Sequence, residues 1–356
     1  MKDYFRYFDK FSFLLLLILA VSGVFFIYSA SRPMATPYHL KQLFFLVLSL
    51  GAFFLFTAIK LEVLFQKAWI GYLLLLALLV LHVLVGRTVA GTKSWFRIGI
   101  LNAQFSEFVK IPLTLYLAKY LTTFDDIGWK VLLKLLAVIG LPVLLISLQP
   151  DLGVSFILCS LLVLAILLKR IQPAVLVISL LLVASLAVVG WNYYLKPYQK
   201  NRIISFLNPE KYQSSIGYQV IQSKIAIGSG GLTGKGYLKG SQSQYKFLPT
   251  RHTDFIVAVI GEEFGFLTIS LLFFIYLIFF YRQLRSRFTN DEEFYFVFLF
   301  TGLVMFQFMV NALMVIGFFP VLGIPLPFIS YGGSSLLSFF IGEAIIFRIR
   351  LNCYLT

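Results

Sequence analysis

The chain has 356 residues, of which 60% are hydrophobic and only 13% charged, with 39 phenylalanines and a formal net charge of +15. A soluble domain of this size has no interior large enough for that apolar fraction, so the composition excludes soluble enzyme classes and indicates a polytopic α-helical membrane protein. The positive charge does not indicate nucleic acid, because the basic residues stand singly beside apolar stretches with no base-stacking module.

Apolar stretches long enough to cross a bilayer core, about 17 to 25 residues, recur at 11–30, 41–59, 67–86, 105–121, 131–148, 151–168, 173–195, 253–281, 294–318 and 332–350. The expected fold is therefore all-α, about ten transmembrane helices in a single integral membrane domain, 1–356. The first span lacks a small-residue cleavage site and reads as retained rather than as a signal peptide. With the N-terminus in the cytoplasm, the short inside segments hold fourteen Lys and Arg residues and the short outside loops five. That asymmetry puts both termini in the cytoplasm and the chain in the cytoplasmic membrane.

Between spans three and four, residues 87–104 form an outer loop with Trp95 and Phe96 at headgroup level beside Lys93 and Arg97, the pattern of an aromatic belt. Span four opens with Glu107 and Lys110. Three residues apart, they share a helix face and can neutralise each other, either as a structural ion pair or as polar lining of a cavity. Asp151, in QPDLG, sits at the outer turn between spans five and six, where a turn residue and a site residue look alike. Cys159 lies mid-span and Cys353 near the cytoplasmic end, and no disulfide is expected.

Residues 196–252 form a large extracytoplasmic loop between spans seven and eight, too long for a simple connection. Ile216, Val220, Ile221, Lys224 and Ile225 recur there at helical spacing, with Gln219, Gln222 and Ser223 on other faces, which predicts a short helix in the interface. The following GSGGLTGKG at 228–236 is not a phosphate-binding loop: that motif needs Gly and Ser or Thr where this chain has Ser229 and Gly236. It reads as a tight turn, whose amides could also meet an anion.

Span eight begins at Asp254. An acid at the boundary of an apolar helix is costly unless it caps the helix or does chemistry, and both readings are open. Glu262, eight residues on, is about 12 Å deeper and some 80° round the helix, placed to floor the same cavity. Glu263 points the other way and Glu343 is near mid-membrane, as packing or relay groups. Gly261 and Gly265 form a small-xxx-small pair suited to helix packing. The last span opens with PLPFISYGGSS, where Ser330, Gly332, Gly333 and Ser334 leave backbone amides at a helix N-terminus suited to an anion. The polar features cluster in the outer half of the membrane, so a substrate arriving from the outer leaflet is expected.

Several segments carry a specific resemblance: QFSEFVK at 104–110, QPDLG at 149–153, GYQVIQSKIAIGSGGLTGKG at 217–236, GSQSQYKFLPTRHTDFIVAVIGEE at 240–263 and NALMVIGFFPVLGIPLPFISYGGSS at 311–335. The chain resembles the SEDS family (shape, elongation, division and sporulation) over essentially its whole length, and Arg251 before His252 is closer to the elongation branch than to the division branch. It departs from the family pattern at Phe105, where Pro is usual, at Ser94, where Arg is usual, and at Thr250, where Glu is usual. The last two weaken any transfer of charged substrate contacts to those positions.

The resemblance implies a peptidoglycan glycosyltransferase that polymerises lipid II on the outer face of the membrane for cell elongation and rod shape. It also implies a class B penicillin-binding protein as transpeptidase partner, beside membrane lipids and other elongation-complex proteins. Asp254 takes the position of the family's functional acid, with Glu107, Lys110 and Asp151 around its cavity. The mechanism expected is general-base activation of the acceptor hydroxyl by Asp254. Lys110, Arg202, Lys224, the SYGGSS amides or a divalent cation (Mg or Mn) are the candidates to stabilise the leaving pyrophosphate; no His and Cys cluster indicates a tight metal site. The rival reading is a lipid II transporter that flips the lipid without bond formation.

Overall fold

Helix α1, Lys10–Ser31, starts where the Asp9 carboxylate accepts the Ser12 amide at 3.0 Å, satisfying one of the donors that every helix start leaves open. Its 22 residues, at 1.5 Å each, reach about the thickness of a bilayer core. The structure is a computed structural model and describes residues 7–85, 96–98, 101–179, 191–192, 200, 204–206 and 216–355. After α1 come α2 (Tyr38–Ala58), the short α3 (Leu61–Gln66) and α4 (Ala68–Val85). An antiparallel ribbon of β1 (Phe96–Ile98) and β2 (Leu101–Ala103), pairing Arg97 with Asn102, falls in the expected aromatic loop. It leads into α5 (Phe105–Phe108) and α6 (Lys110–Leu121), followed by α7 (Trp129–Leu148) and α8 (Leu152–Leu168).

The seventh expected span begins as a helix at 173–179, and the rest of it lies outside the described residues. The long loop of 196–252 contributes α9 (Ile216–Gly230) and α10 (Ser241–Gln244), and the last elements are α11 (Ile256–Leu284), α12 (Asp291–Val315) and α13 (Gly333–Leu355). Among the described residues, five helices, α1, α2, α7, α11 and α12, are long and apolar enough to cross a membrane. This is a multi-pass membrane protein.

Helix α13 packs chiefly on α2 and also touches α5 and α12, while α12 lies on α6 and α8. Ala344, Ile345, Ile346 and Phe347 of α13 are all buried, so this helix is covered on every side at that level because it runs through the interior. By contrast Leu43, Phe44 and Val47 of α2 and Leu267, Leu271 and Phe274 of α11 face outward as apolar stripes suited to lipid. Glu343 accepts a hydrogen bond from Gln283 inside the bundle, which gives the buried acid a polar partner.

Helix α9 corrects one expectation. It lies against α11 and α12 through Val220, Ser223 and Ala226, and Ser223, expected on another face, is fully buried with its hydroxyl donating to Val315 O at 2.7 Å. The helix is thus docked on the bundle, with Lys224 and Ile225 outward.

The glycine cluster after α9 has a structural function. Gly265 takes φ +77° inside α11, a left-handed conformation that ordinary residues avoid, and breaks the helix there. The carbonyls of Glu262 and Glu263 accept instead from Lys235 N (3.0 Å) and Gly236 N (2.9 Å), and the amides of Phe266 and Leu267 donate to Gly231 O (2.9 Å) and Leu232 O (3.1 Å). The 231–236 turn therefore replaces the lost rungs of the helix, and the amides of Lys235 and Gly236 are not open to an anion. Of the Gly261 and Gly265 pair, Gly261 packs on helix α9, where a β-carbon would lie 3.4 Å from Ile227 Cα, while Gly265 admits the loop, where a β-carbon would lie 2.4 Å from Gly234 N.

Candidate active site

Asp254 lies in a turn over 251–255 before α11 starts at Ile256. The N-cap position falls to Phe255, whose side chain makes no capping hydrogen bond, so Asp254 stands one residue before the cap. Three bonds fix the turn through its backbone. Asn311 Nδ2 donates to Asp254 O at 2.8 Å, Ser330 Oγ donates to Thr253 O at 2.5 Å, and Tyr331 N donates to His252 O at 2.9 Å. The half-buried Asp254 side chain faces Gly323, where a β-carbon would lie 3.7 Å from Oδ2; Gly323 itself has φ +75°.

The segment between α12 and α13 is the other half of the site. It has no regular hydrogen-bond ladder, and polar side chains from the surrounding helices hold it. Asn311 Nδ2 also donates to Ile324 O (2.7 Å), Gln307 Nε2 to Pro325 O (3.0 Å) and Gln42 Nε2 to Ser330 O (3.3 Å). Ser330 Oγ accepts Leu326 N at 2.9 Å, and Tyr276 donates its hydroxyl to Pro327 O.

Glu107 and Lys110 form an ion pair of 2.8 Å, both nearly excluded from solvent, and Lys110 Nζ also donates to Gln307 Oε1 at 3.0 Å. The ammonium stands 4.9 Å from the centroid of the Phe339 ring, and Ser338 Oγ donates to Glu107 O at 2.7 Å. Asp151 caps α8 by accepting Val154 N at 3.2 Å with one oxygen, and accepts Gln104 Nε2 at 2.5 Å with the other. Gln104 N in turn donates to Ser334 Oγ at 3.0 Å. Glu107, Lys110, Asp151, Ser330 and Ser334 thus converge with the Asp254 turn on the segment that leads into α13.

Other expected groups do different things. Glu262 is taken up by the long loop: its fully buried carboxylate accepts Lys235 Nζ (2.7 Å), Ser241 Oγ (3.0 Å) and the amides of Gln242 and Ser243. It anchors that loop where α11 breaks. Glu263 is bound by the Ser29 hydroxyl, 2.6 and 2.7 Å from its two oxygens. The Gly332 amide is not open to an anion, since it donates to Gln42 Oε1 at 3.2 Å. Gly333 instead admits the Phe45 ring, which would meet a β-carbon at 2.3 Å. Lys224 is exposed beside Gly317, and Arg202 lies outside the described residues.

Sequence reasoning missed the amide side chains Gln42, Gln307 and Asn311, which hold the irregular segment, and Gln104, which binds Asp151. Their signal was available, because an amide inside an apolar span must find a partner. It also missed an aromatic group beside Asp254: the His252 ring lies 4.5 Å from Tyr38, and Tyr38 lies 4.8 Å from Tyr331. Burial first, and the Arg251 charge second, lower the His252 pKa to about 4, so the ring is neutral at physiological pH.

The chain matches the family of cell cycle proteins that carries the names FtsW, RodA and SpoVE over residues 9–354. It is 35% identical to the peptidoglycan glycosyltransferase MrdB of Escherichia coli K12, over 80% of this chain and 79% of that protein. It is 32% identical to the peptidoglycan glycosyltransferase RodA of Treponema pallidum, over 96% and 97%. Among solved structures, a chain described in the structural coordination of polymerization and crosslinking by a peptidoglycan synthase complex superposes with a TM-score of 0.82 at 28% identity, covering 98% of this chain and 99% of that one. The Thermus thermophilus rod shape determining protein RodA gives 0.72 at 26% identity, with 98% of each chain covered.

Proposed function

The chain belongs to the cell cycle protein family of FtsW, RodA and SpoVE, and from that membership we propose that it is a peptidoglycan glycosyltransferase polymerising lipid II, with Asp254 as the general base. Asp254 takes the proton of the acceptor sugar's 4-hydroxyl as that oxygen bonds to the anomeric carbon of the donor. The bond from that carbon to the pyrophosphate oxygen breaks, with inversion, and lipid pyrophosphate leaves. A positioned base contributes about 10²- to 10⁴-fold, provided its carboxylate is held within hydrogen-bond reach of the hydroxyl.

The observation that carries this reading is the way the Asp254 turn is built. Its backbone is fixed by Asn311, Ser330 and Tyr331, and the N-cap position of α11 falls on Phe255 rather than on Asp254. An acid held in a preorganised turn suits catalysis. Lys110 is committed to Glu107 and Gln307, so it serves to shape the site, and the exposed Lys224 is the better candidate to meet the leaving pyrophosphate. Among the described residues no three His, Cys, Asp or Glu side chains gather as metal ligands. A divalent cation, if used, would be held by Asp254 together with substrate phosphate oxygens.

The polar end of the bundle faces outward in this reading, following the Lys and Arg balance. The chain works in elongation beside a class B penicillin-binding protein, a reading supported by the solved relative from a complex that couples polymerization and crosslinking. The deciding experiment is lipid II polymerisation by purified protein in detergent, where no membrane sidedness exists. Glycan strands from the native protein, and none above background from Asp254→Asn, are expected. Strands from Asp254→Asn at the native rate would remove the base, and no strands from the native protein with its partner present would favour a transporter.

A further inference from the structure

At the end of the bundle opposite Asp254, the start of α1 and the ends of α11 and α13 enclose a cavity of about 550 Å³. Among the described residues, four guanidinium groups line it, Arg282, Arg285, Arg287 and Arg350, against one carboxylate, Asp9. Asp9 is already spent. It bridges Arg282, at 2.9 Å, and Arg350, at 2.5 Å, and Ser12 donates to it through both amide and hydroxyl. Burial acts to raise the Asp9 pKa, but the Ser12 bonds and then the two arginines outweigh it, so the carboxyl stays below its ordinary value and ionised. Arg350 is further fixed by Ser286 Oγ at 2.7 Å and by Arg282 O at 2.5 Å. The charges of Arg285 and Arg287 have no counter-ion among the described residues.

We propose that this cavity is a binding site for a phosphate-bearing anion, supplied either by the headgroup of an anionic membrane lipid or by a free phosphate species. Three further observations support the site. Arg282 and Arg350 are held rigid by Asp9 and Ser12, so they present donors at little entropic cost. Tyr7 and Tyr354 stack at 5.3 Å along one wall, and the exposed Tyr281 and Tyr354 place amphipathic rings where aromatic residues meet lipid headgroups. The volume lies within the range of built ligand sites, roughly 300 to 1,000 Å³.

Two simpler explanations fall short. Basic residues in the last turn of a helix complement its dipole, which accounts for Arg282, but Arg287 lies beyond the end of α11. The general excess of basic residues on one side of a membrane protein requires only that they lie on that side; it does not gather four around one cavity. The nearest buried acid on the neighbouring helix, Glu293, is turned to Thr289 N and Asn352 Nδ2 and does not line the space.

The test uses the full-length protein in phosphatidylcholine nanodiscs, titrated with fluorescent short-chain phosphatidylglycerol, with short-chain phosphatidylcholine and with inorganic phosphate as competitor. Saturable phosphatidylglycerol binding is expected, roughly thirtyfold weaker in the Arg285→Gln, Arg287→Gln double variant. The melting temperature should not change, because neither side chain holds Asp9. Displacement by inorganic phosphate would assign the same site to a free phosphate, and resistance to it would assign the site to lipid. The proposal is overturned if the double variant binds like the native protein, if phosphatidylcholine binds equally well, or if neither phosphatidylglycerol nor inorganic phosphate saturates.

Discussion

Asn311 Nδ2 donates to the backbone oxygen of Asp254 at 2.8 Å and to that of Ile324 at 2.7 Å, so one amide on α12 sets the spacing between the acid's turn and the irregular segment opposite it. Asn311→Leu removes the donors from both carbonyls, a cost of about 1–3 kcal/mol for each. Polymerisation should fall by at least tenfold at saturating lipid II, while Asn311→Gln should recover part of it. Steady-state rates alongside melting temperatures check this; unchanged kcat in Asn311→Leu would show that the turn positions itself.

Gly265→Ala should damage the fold more than any other single methyl addition in α11. The residue sits at φ +77° and a β-carbon would press on Gly234 N and Leu232 O, both at 2.4 Å. Strain of about 1–3 kcal/mol from the backbone alone adds to that clash. Expression level and melting temperature in detergent read the effect, and a native-like melt would contradict the helix break.

Lys110→Met leaves Glu107 buried and unpaired, with an expected loss of about 3–5 kcal/mol. Pairing it with Glu107→Gln should restore much of the stability. A double variant no more stable than the single one would mean that Lys110 acts through Gln307 rather than through Glu107.

Glu262→Gln separates anchoring from substrate contact. Lys235 and the amides of Gln242 and Ser243 would lose a charged acceptor, so the melting temperature should drop and proteolysis between residues 231 and 245 should rise. A raised KM with an unchanged melting temperature would instead return Glu262 to the substrate cavity.

His252 makes stability depend on pH. Its pKa is lowered to about 4 in the fold and lies near 6.5 in an unfolded chain, so the unfolded state binds the extra proton first. The contribution is present in full above about 6.5 and is lost as pH falls towards 4. Melting temperatures across that window should fall less steeply for His252→Phe than for the native protein; parallel curves would show that the buried ring is not the titrating group.

The places where expectation and structure part share a cause. Spacing along the chain placed Asp254, Glu107, Lys110 and Asp151 at one end of the bundle, because helix direction alternates with each apolar span. It could not say which acids were already bound. Glu262 and Asp254 look equivalent in sequence, yet four donors from the long loop surround Glu262. Gly332 and Gly333 read as an open helix start, but Gln42 and Phe45, almost 290 residues away, take up the amide and the space.

The sequence by itself determined that this is a helical membrane protein and which family it joins. Apolar length, basic asymmetry and local motifs are properties of contiguous segments. Only the tertiary structure decided that the glycine turn at 231–236 repairs the broken α11, that Phe255 rather than Asp254 stands at the helix cap, and that four arginines converge beside Asp9. Those facts are hydrogen bonds and charges meeting across long sequence separations, and no periodicity along the chain records which partner a buried polar group will find.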